Sequence, residues 1–189
     1  STDQGVTFSL VSQAVQGAYT FVYSDGTYAF ALGSGGIVKS NNNGATWFPY
    51  NPAALIYTDL TDFLVDGSTV YAATFDKLIK SDVNINNWSE VTFGQNVDFC
   101  FGLCKKGTSV YASTNRGVFS TNDQGVTWTE KNDGITPLTI DGLTLHEGSL
   151  FAGASIYGIS TYQNNSWNYS GLPLLNSFDF HSEGTDIYA

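Results

Sequence analysis

Short stretches in which apolar and polar side chains alternate recur along the whole chain, separated by clusters of Gly, Asn, Asp and Ser. Between 97 and 130 the alternation predicts four strands, Val97–Leu103, Ser109–Ser113, Gly117–Ser120 and Thr127–Glu130. Lys-Lys-Gly, Asn-Arg-Gly and Asn-Asp-Gln-Gly join them, sequences whose Gly, Asn and Asp accept the backbone angles of tight turns. A period of two sends successive side chains to opposite faces of a strand, and no segment keeps the period of an amphipathic helix over helix length. The expected class is all-β.

The four-strand pattern repeats. Segments 1–8 (STDQGVTF), 40–47 (SNNNGATW), 81–88 (SDVNINNW), 121–128 (TNDQGVTW) and 160–167 (STYQNNSW) end at Phe8, Trp47, Trp88, Trp128 and Trp167, spaced by 39, 41, 40 and 39 residues. All four Trp of the chain fall at this one position, so the repeat is not an accident of composition. A second mark precedes each later box: Gly26 leads to Phe30-Ala31, Gly67 to Tyr71-Ala72, Gly107 to Tyr111-Ala112 and Gly148 to Phe151-Ala152, while Gly184 leads to Tyr188-Ala189 at the end. A unit of about 40 residues and four strands has two faces to bury and only neighbouring units to bury them against, which is the economy of a β-propeller blade. Residues 1–189 thus read as a single propeller domain of five units, with the third strand of the last one missing. The chain starts at a box and stops at an aromatic-Ala pair, a phase that favours a five-unit ring closed by its own first strand. The alternative is a window on a propeller of six or more blades.

The pattern Ser/Thr-x-Asp-x-Gly-x-Thr-Trp resembles the Asp-box, the bacterial neuraminidase repeat of sialidases, sortilin-type receptors, photosystem assembly factors and xyloglucan-cleaving glycosidases. The resemblance runs through the whole chain and implies a propeller scaffold whose boxes lie on the outer rim, away from a catalytic centre. The box also has its own physics. Asp and Ser side chains cap backbone N–H groups of a tight turn, Gly takes the positive-φ position and Trp packs between blades. The structural box residues are Asp3, Gly5, Asn42, Gly44, Trp47, Trp88, Asp123, Gly125, Trp128 and Trp167. Asn42 substitutes for the Asp, whereas Val83 and Tyr162 abandon it, so boxes 81–88 and 160–167 are expected to be held by packing alone.

Composition narrows the functions this scaffold can serve. Seven Lys and Arg against 17 Asp and Glu leave a net charge of −10, which speaks against nucleic acid and anionic membranes as partners. No apolar run approaches the roughly 20 residues of a membrane span. The chain has no Met, and so reads as a processed chain or a piece of one. Sialidase chemistry needs three Arg to clamp the substrate carboxylate, and Arg116 is the single Arg here. The same shortage weakens the likeness to photosystem assembly factors, a family associated with a basic patch.

A glycosidase needs two carboxyl groups facing each other across a cleft. Asp59, Asp62, Asp98, Asp141 and Asp179 fall in the segments read as first, innermost strands, and the last four sit at odd offsets from the unit glycine, which predicts a shared face. Asp62, Asp98, Asp141 and Asp179 are therefore the candidate ligand-binding residues, with polar lining of a wet channel as the competing reading. No compact cation loop is present, and no metal or cofactor is expected. His146 and His181 end equivalent first strands and are assigned to the surface or the channel rim. Cys100 and Cys104 share a face of one expected strand, but four residues of extended chain separate them by about 13 Å, too far for a disulfide. They read as small buried apolar residues. Asn-x-Ser sequons begin at Asn87, Asn164 and Asn168.

Together these features describe a non-catalytic, extracellular or cell-surface binding and scaffolding propeller, the location resting on the resemblance. It would recognise a protein or glycan partner on its loop-rich channel face. A carbohydrate-active enzyme using two of the first-strand aspartates is the first alternative. A subunit that self-associates through open strand edges at Ser1 and Ala189 is the second.

Overall fold

The computed structural model describes residues 18–33, 36–50, 60–85, 87–136, 138–155, 157–171, 180–183 and 186–188. Asp3, Gly5, Phe8, Asp59, Asp179, Gly184 and both chain ends lie outside them. The chain divides into two compact units, Ser1–Asp59 and Leu60–Ala189.

In the first unit β1 (Tyr19–Ser24), β2 (Ala29–Gly33), β3 (Gly36–Ser40) and β4 (Phe48–Tyr50) form one antiparallel sheet in chain order. Asp25 closes its first hairpin by accepting the Thr27 and Tyr28 N–H groups, both at 2.8 Å. Phe30, Leu32, Ile37 and Val38 are buried.

Among the described residues, the second unit contains three such sheets. They are β5 to β8 (Leu60–Asp66, Thr69–Thr74, Leu78–Asp82, Ser89–Glu90), β9 to β12 (Cys100–Lys106, Ser109–Thr114, Gly117–Thr121, Thr129–Glu130) and β13 to β16 (Gly142–His146, Ser149–Ala154, Gly158–Gln163, Ser166–Gly171). A two-stranded hairpin, β17 (His181–Glu183) and β18 (Asp186–Tyr188), follows. The protein is all-β, built of four-stranded antiparallel propeller blades.

Within the second unit, neighbouring four-stranded blades meet through a core. One holds Leu64, Tyr71 and Leu78 of β5–β8 with Val110 and Phe119 of β9–β12, and Trp128 and Phe93 pack into it. The other holds Val118 and Cys104 of β9–β12 with Leu143, Leu150, Tyr162 and Trp167 of β13–β16. The middle blade therefore buries both faces, which is why single units of this sequence have nothing to fold around. The inner strands run alongside one another. Thr61 Oγ1 donates to the Cys100 carbonyl at 2.7 Å, Asp62 Oδ2 accepts the Leu103 N–H at 2.6 Å, and Ile140 N–H reaches the Thr114 carbonyl at 3.0 Å.

Several local expectations change. The first strand of the third unit begins at Cys100 rather than Val97, because Asp98 and Phe99 give their N–H groups to Asn115 Oδ1 instead of to a ladder. The fourth begins at Thr129 rather than Thr127, whose N–H is spent on the box aspartate. The ladder is irregular at the same place in three first strands, between Tyr19 and Phe21, Leu60 and Asp62, and Cys100 and Gly102. A bulge adds one residue and inverts the alternation that follows. Cys100 and Cys104 consequently do not share a face: Cys100 enters the first core and Cys104 the second, both as free buried thiols.

Candidate functional site

The box turns occupy one end of each blade. In 121–128, Thr121 Oγ1 accepts the Asp123 and Gly125 N–H groups at 3.3 and 3.0 Å and donates to Asp123 Oδ1 at 2.7 Å. Asp123 also accepts the N–H groups of Val126 and Thr127 at 3.0 and 2.9 Å and the Thr127 hydroxyl at 2.5 Å. These bonds, led by the Thr127 hydroxyl, hold its carboxyl well below the usual carboxylate range. Asn42 does the neutral version of this in 40–47, accepting the Thr46 N–H at 2.9 Å and donating to the Thr46 hydroxyl at 2.8 Å. Gly44 and Gly125 hold φ of +81° and +73°.

The two boxes with neither Asp nor Asn at that position, 81–88 and 160–167, are not held by packing alone. In 81–88, Asp82 takes over: its Oδ1 accepts the Asn84 N–H and its carbonyl the Ile85 N–H, at 2.7 and 2.8 Å. Ile85, buried at the place of the box glycine, sits at φ +52°, a conformation a β-branched residue rarely adopts. In 160–167 the turn contracts to a two-residue hairpin, Gln163 pairing with Ser166 across Asn164 and Asn165, both at positive φ. That is the backbone geometry of a type I′ turn, which Asn accepts.

The opposite end carries the turns between second and third strands and the connections between blades. Phe75, Phe99, Leu138 and Tyr157 sit there with between 42% and 52% of their surface exposed. Each blade anchors them with polar side chains. Asn115 accepts the N–H groups of Asp98 and Phe99, donates to Asp98 Oδ2 at 3.2 Å, and so fixes the approach of Phe99, whose ring stacks on Phe101 at 6.1 Å. Thr74 Oγ1 donates to Asp76 at 2.7 Å beside Phe75. Asn132 accepts the Val118 N–H and donates to the Arg116 carbonyl, at 2.8 and 2.9 Å. A Cβ on Gly117 would lie 2.0 Å from that Asn132 oxygen, so the Asn115–Gly117 turn requires glycine.

Of the aspartates singled out in the sequence, Asp62, Asp98 and Asp141 are described; they are placed at this end but not brought onto one face. Asp62, just past its bulge in β5, accepts the Phe63 N–H at 2.7 Å and the Leu103 N–H of the next blade. Asp98 and Asp141 precede β9 and β13 rather than lying in them. Asp98 is exposed and bonded to Asn115, and Asp141 Oδ2 accepts the Ser155 N–H at 2.7 Å. Odd offsets cannot align residues on either side of a bulge. His146 is buried at the end of β13 with its ring 6.4 Å from Phe151, not on the surface; for His181 only the backbone, at the start of β17, is described. Among the described residues no group of three His, Cys, Asp or Glu is arranged to hold a metal ion. Phe75, Phe99 and Tyr157 were not singled out in the sequence; their positions next to turn residues were the available signal.

Solved structures similar to the chain include extracellular domains of putative two component systems. The extracellular domain of the putative hybrid two component system BT3049 from B. thetaiotaomicron superposes with a TM-score of 0.63 at 15% identity, covering 90% of this chain and 26% of that one. The corresponding domain of BT4673 from the same organism gives 0.62 at 14% identity, covering 88% and 24%. YCF48, solved bound to D1 peptide, gives 0.56 at 16%, covering 76% and 49%. The chain thus spans about a quarter of the length of those ectodomains and half that of YCF48. At these identities the likeness is one of fold. No curated protein matches the chain. A family model does, over residues 7–139, and the chain belongs to the family it describes, the DUF6242 β-propeller domain.

Proposed function

We propose that this chain is a non-catalytic recognition module of an extracellular protein, a propeller of Asp-box-type units that binds a protein or glycan partner through the loop end of its blades. The observation that carries this reading is the set of exposed aromatic residues at that end, Phe75, Phe99 and Tyr157, set at or beside turns stiffened by side-chain hydrogen bonds. Large rings held in water on rigid turns offer contact area at little cost in conformational entropy, as recognition surfaces do. The similarity to bacterial sensor ectodomains supports an extracellular setting, and YCF48 supplies an instance of a related fold holding a peptide. Asp62, Asp98 and Asp141 accept hydrogen bonds from backbone N–H or the Asn115 side chain, structural work that favours binding over hydrolysis.

The test is capture from a cell-surface extract on the immobilised chain, compared with a Phe75→Ser, Phe99→Ser, Tyr157→Ser variant. The substitutions remove exposed rings, so the fold is expected to persist by circular dichroism while the captured protein or glycan is lost. Equal capture by the variant would refute the reading.

A further inference from the structure

The exposed rings at the loop end of the second unit follow a row of contacts that crosses three blades. Thr74, at the end of β6, pairs with Leu60. Thr61, beside Leu60, donates to the Cys100 carbonyl at 2.7 Å, and Cys100 pairs with Thr114. The Thr114 carbonyl accepts the Ile140 N–H at 3.0 Å, and Asp141, the next residue, accepts the Ser155 N–H at 2.7 Å. Phe75 follows Thr74, Phe99 precedes Cys100, and Leu138 and Tyr157 stand two places from Ile140 and Ser155. All four of these large side chains are exposed. Apolar groups held in water at successive points of one row mark an interaction surface.

Their neighbours narrow what they can hold. Phe75, Phe99 and Leu138 carry no polar side-chain atom, and the polar side chains beside the row are already engaged. Asn115 holds the Asp98 and Phe99 N–H groups and the Asp98 carboxylate, Thr74 holds Asp76 and the Lys77 backbone, and Asp62 holds the Phe63 and Leu103 N–H groups. A sugar stacked on these rings would give up water from its hydroxyls and find few groups to replace it. Apolar side chains of a polypeptide need no such replacement. Charge makes a second selection. Among the described residues, Asp62, Asp76, Asp98 and Asp141 stand on or next to the row against Lys77 and Arg116, and Lys77 is paired with Asp76 at 3.3 Å. Asp98 is exposed and directly precedes Phe99, so the row offers a carboxylate and a ring in consecutive residues, and both attract a cation.

We infer that the loop end binds an extended polypeptide segment that mixes apolar side chains with Lys or Arg, the apolar ones resting on Phe75, Phe99 and Tyr157 and a basic one meeting Asp98. The inference rests on the recognition role proposed above and names its partner class, a basic and apolar peptide rather than a glycan. Successive contacts lie on different blades, and an extended chain, rising about 3.3 Å per residue against about 1.5 Å in a helix, spans them with the fewest residues. The net charge of −10 draws such a segment in and turns an acidic one away.

Random short peptides displayed on phage and selected on the immobilised whole chain are the probe, beside an array of neutral oligosaccharides. Selected peptides should combine Lys or Arg with Phe, Leu, Ile or Val. A synthetic copy of the strongest should shift the amides of Phe75, Phe99 and Tyr157 in NMR titrations. Phe99→Ser should weaken that peptide about five-fold or more, the cost of truncating an anchor ring. Asp98→Asn, which keeps the side-chain shape, should weaken it at low salt and hardly at high salt. No selected peptide, selected peptides without a basic residue, shifts confined to other residues, or unchanged affinity in both variants would each overturn the assignment. Oligosaccharides that shift the same amides while no peptide is selected would overturn it and leave the recognition role standing. Equal capture from the extract by the Phe75→Ser, Phe99→Ser, Tyr157→Ser variant would remove that role itself.

Discussion

At the scale of single residues, the box is a device for holding a turn with one side-chain acceptor, and Asp123 and Asn42 do it with and without a charge. The charge makes one of them sensitive to acid. Because the folded-state pKa of Asp123 lies below its ordinary value near 3.8, its contribution is complete above that pH and is lost as pH falls further. Replacing Asp123 with Asn should therefore lower the melting temperature at neutral pH and flatten its decline below about pH 4, measured by calorimetry across that range. An equally steep acid limb in the variant would show that other carboxylates govern it. The role of Asp123 was legible because its neighbours Thr121, Gly125 and Thr127 complete the pattern. The substitute in 81–88 was not, since Asp82 stands one place early and acts through its backbone carbonyl as well as its carboxylate.

At the scale of elements, the repeat period fixed which Trp are equivalent, but not what each one does. Trp128 packs edge-on against Tyr71 of the neighbouring blade, 6.0 Å between ring centres, and its indole N–H finds no acceptor. Trp167 is 2% exposed and donates its indole N–H to the Lys131 carbonyl at 2.7 Å, while its backbone N–H reaches Asp133. Trp167→Phe removes the donor to the carbonyl of half-buried Lys131 and should cost about 0.5–1.5 kcal/mol in urea unfolding beyond the loss of ring area, whereas Trp128→Phe should lack that added term. Similar costs for the two would mean that area alone decides. The first-strand bulges were likewise hidden, because an added residue leaves no mark in an alternating pattern until the register is seen. They move Cys100 and Cys104 into different cores, and burial pushes both thiols above their usual pKa. Neither should react with a thiol reagent in the folded protein, and both should do so on unfolding. Labelling before unfolding would contradict their burial.

At the scale of the molecule, what must be explained is how blades with so few charged residues stay in register. Apolar burial is non-directional and leaves sliding between adjacent inner strands cheap. Asp62 supplies a direction: one oxygen holds its own strand through Phe63 and the other accepts the Leu103 N–H across the blade boundary at 2.6 Å. Lys105 and Asp66 add an ion pair at 2.6 Å towards the other end of the same two strands. The sequence marked Asp62 as special through its offset but offered ligand chemistry as the reason, since a contact between residues some forty apart cannot be read from either strand alone. The two explanations predict different outcomes. If Asp62 is a register clamp, Asp62→Ala should cost about 2–3 kcal/mol, as the loss of a charge-assisted hydrogen bond to a buried amide does. It should also speed hydrogen exchange at Leu103 selectively. Asp98→Ala, at an exposed site, should cost less than about 1 kcal/mol. If instead Asp62→Ala leaves stability and Leu103 exchange unchanged, the carboxylate is not holding the blades together, and its place beside Gly102, where three inner strands meet, returns it to the candidates for binding.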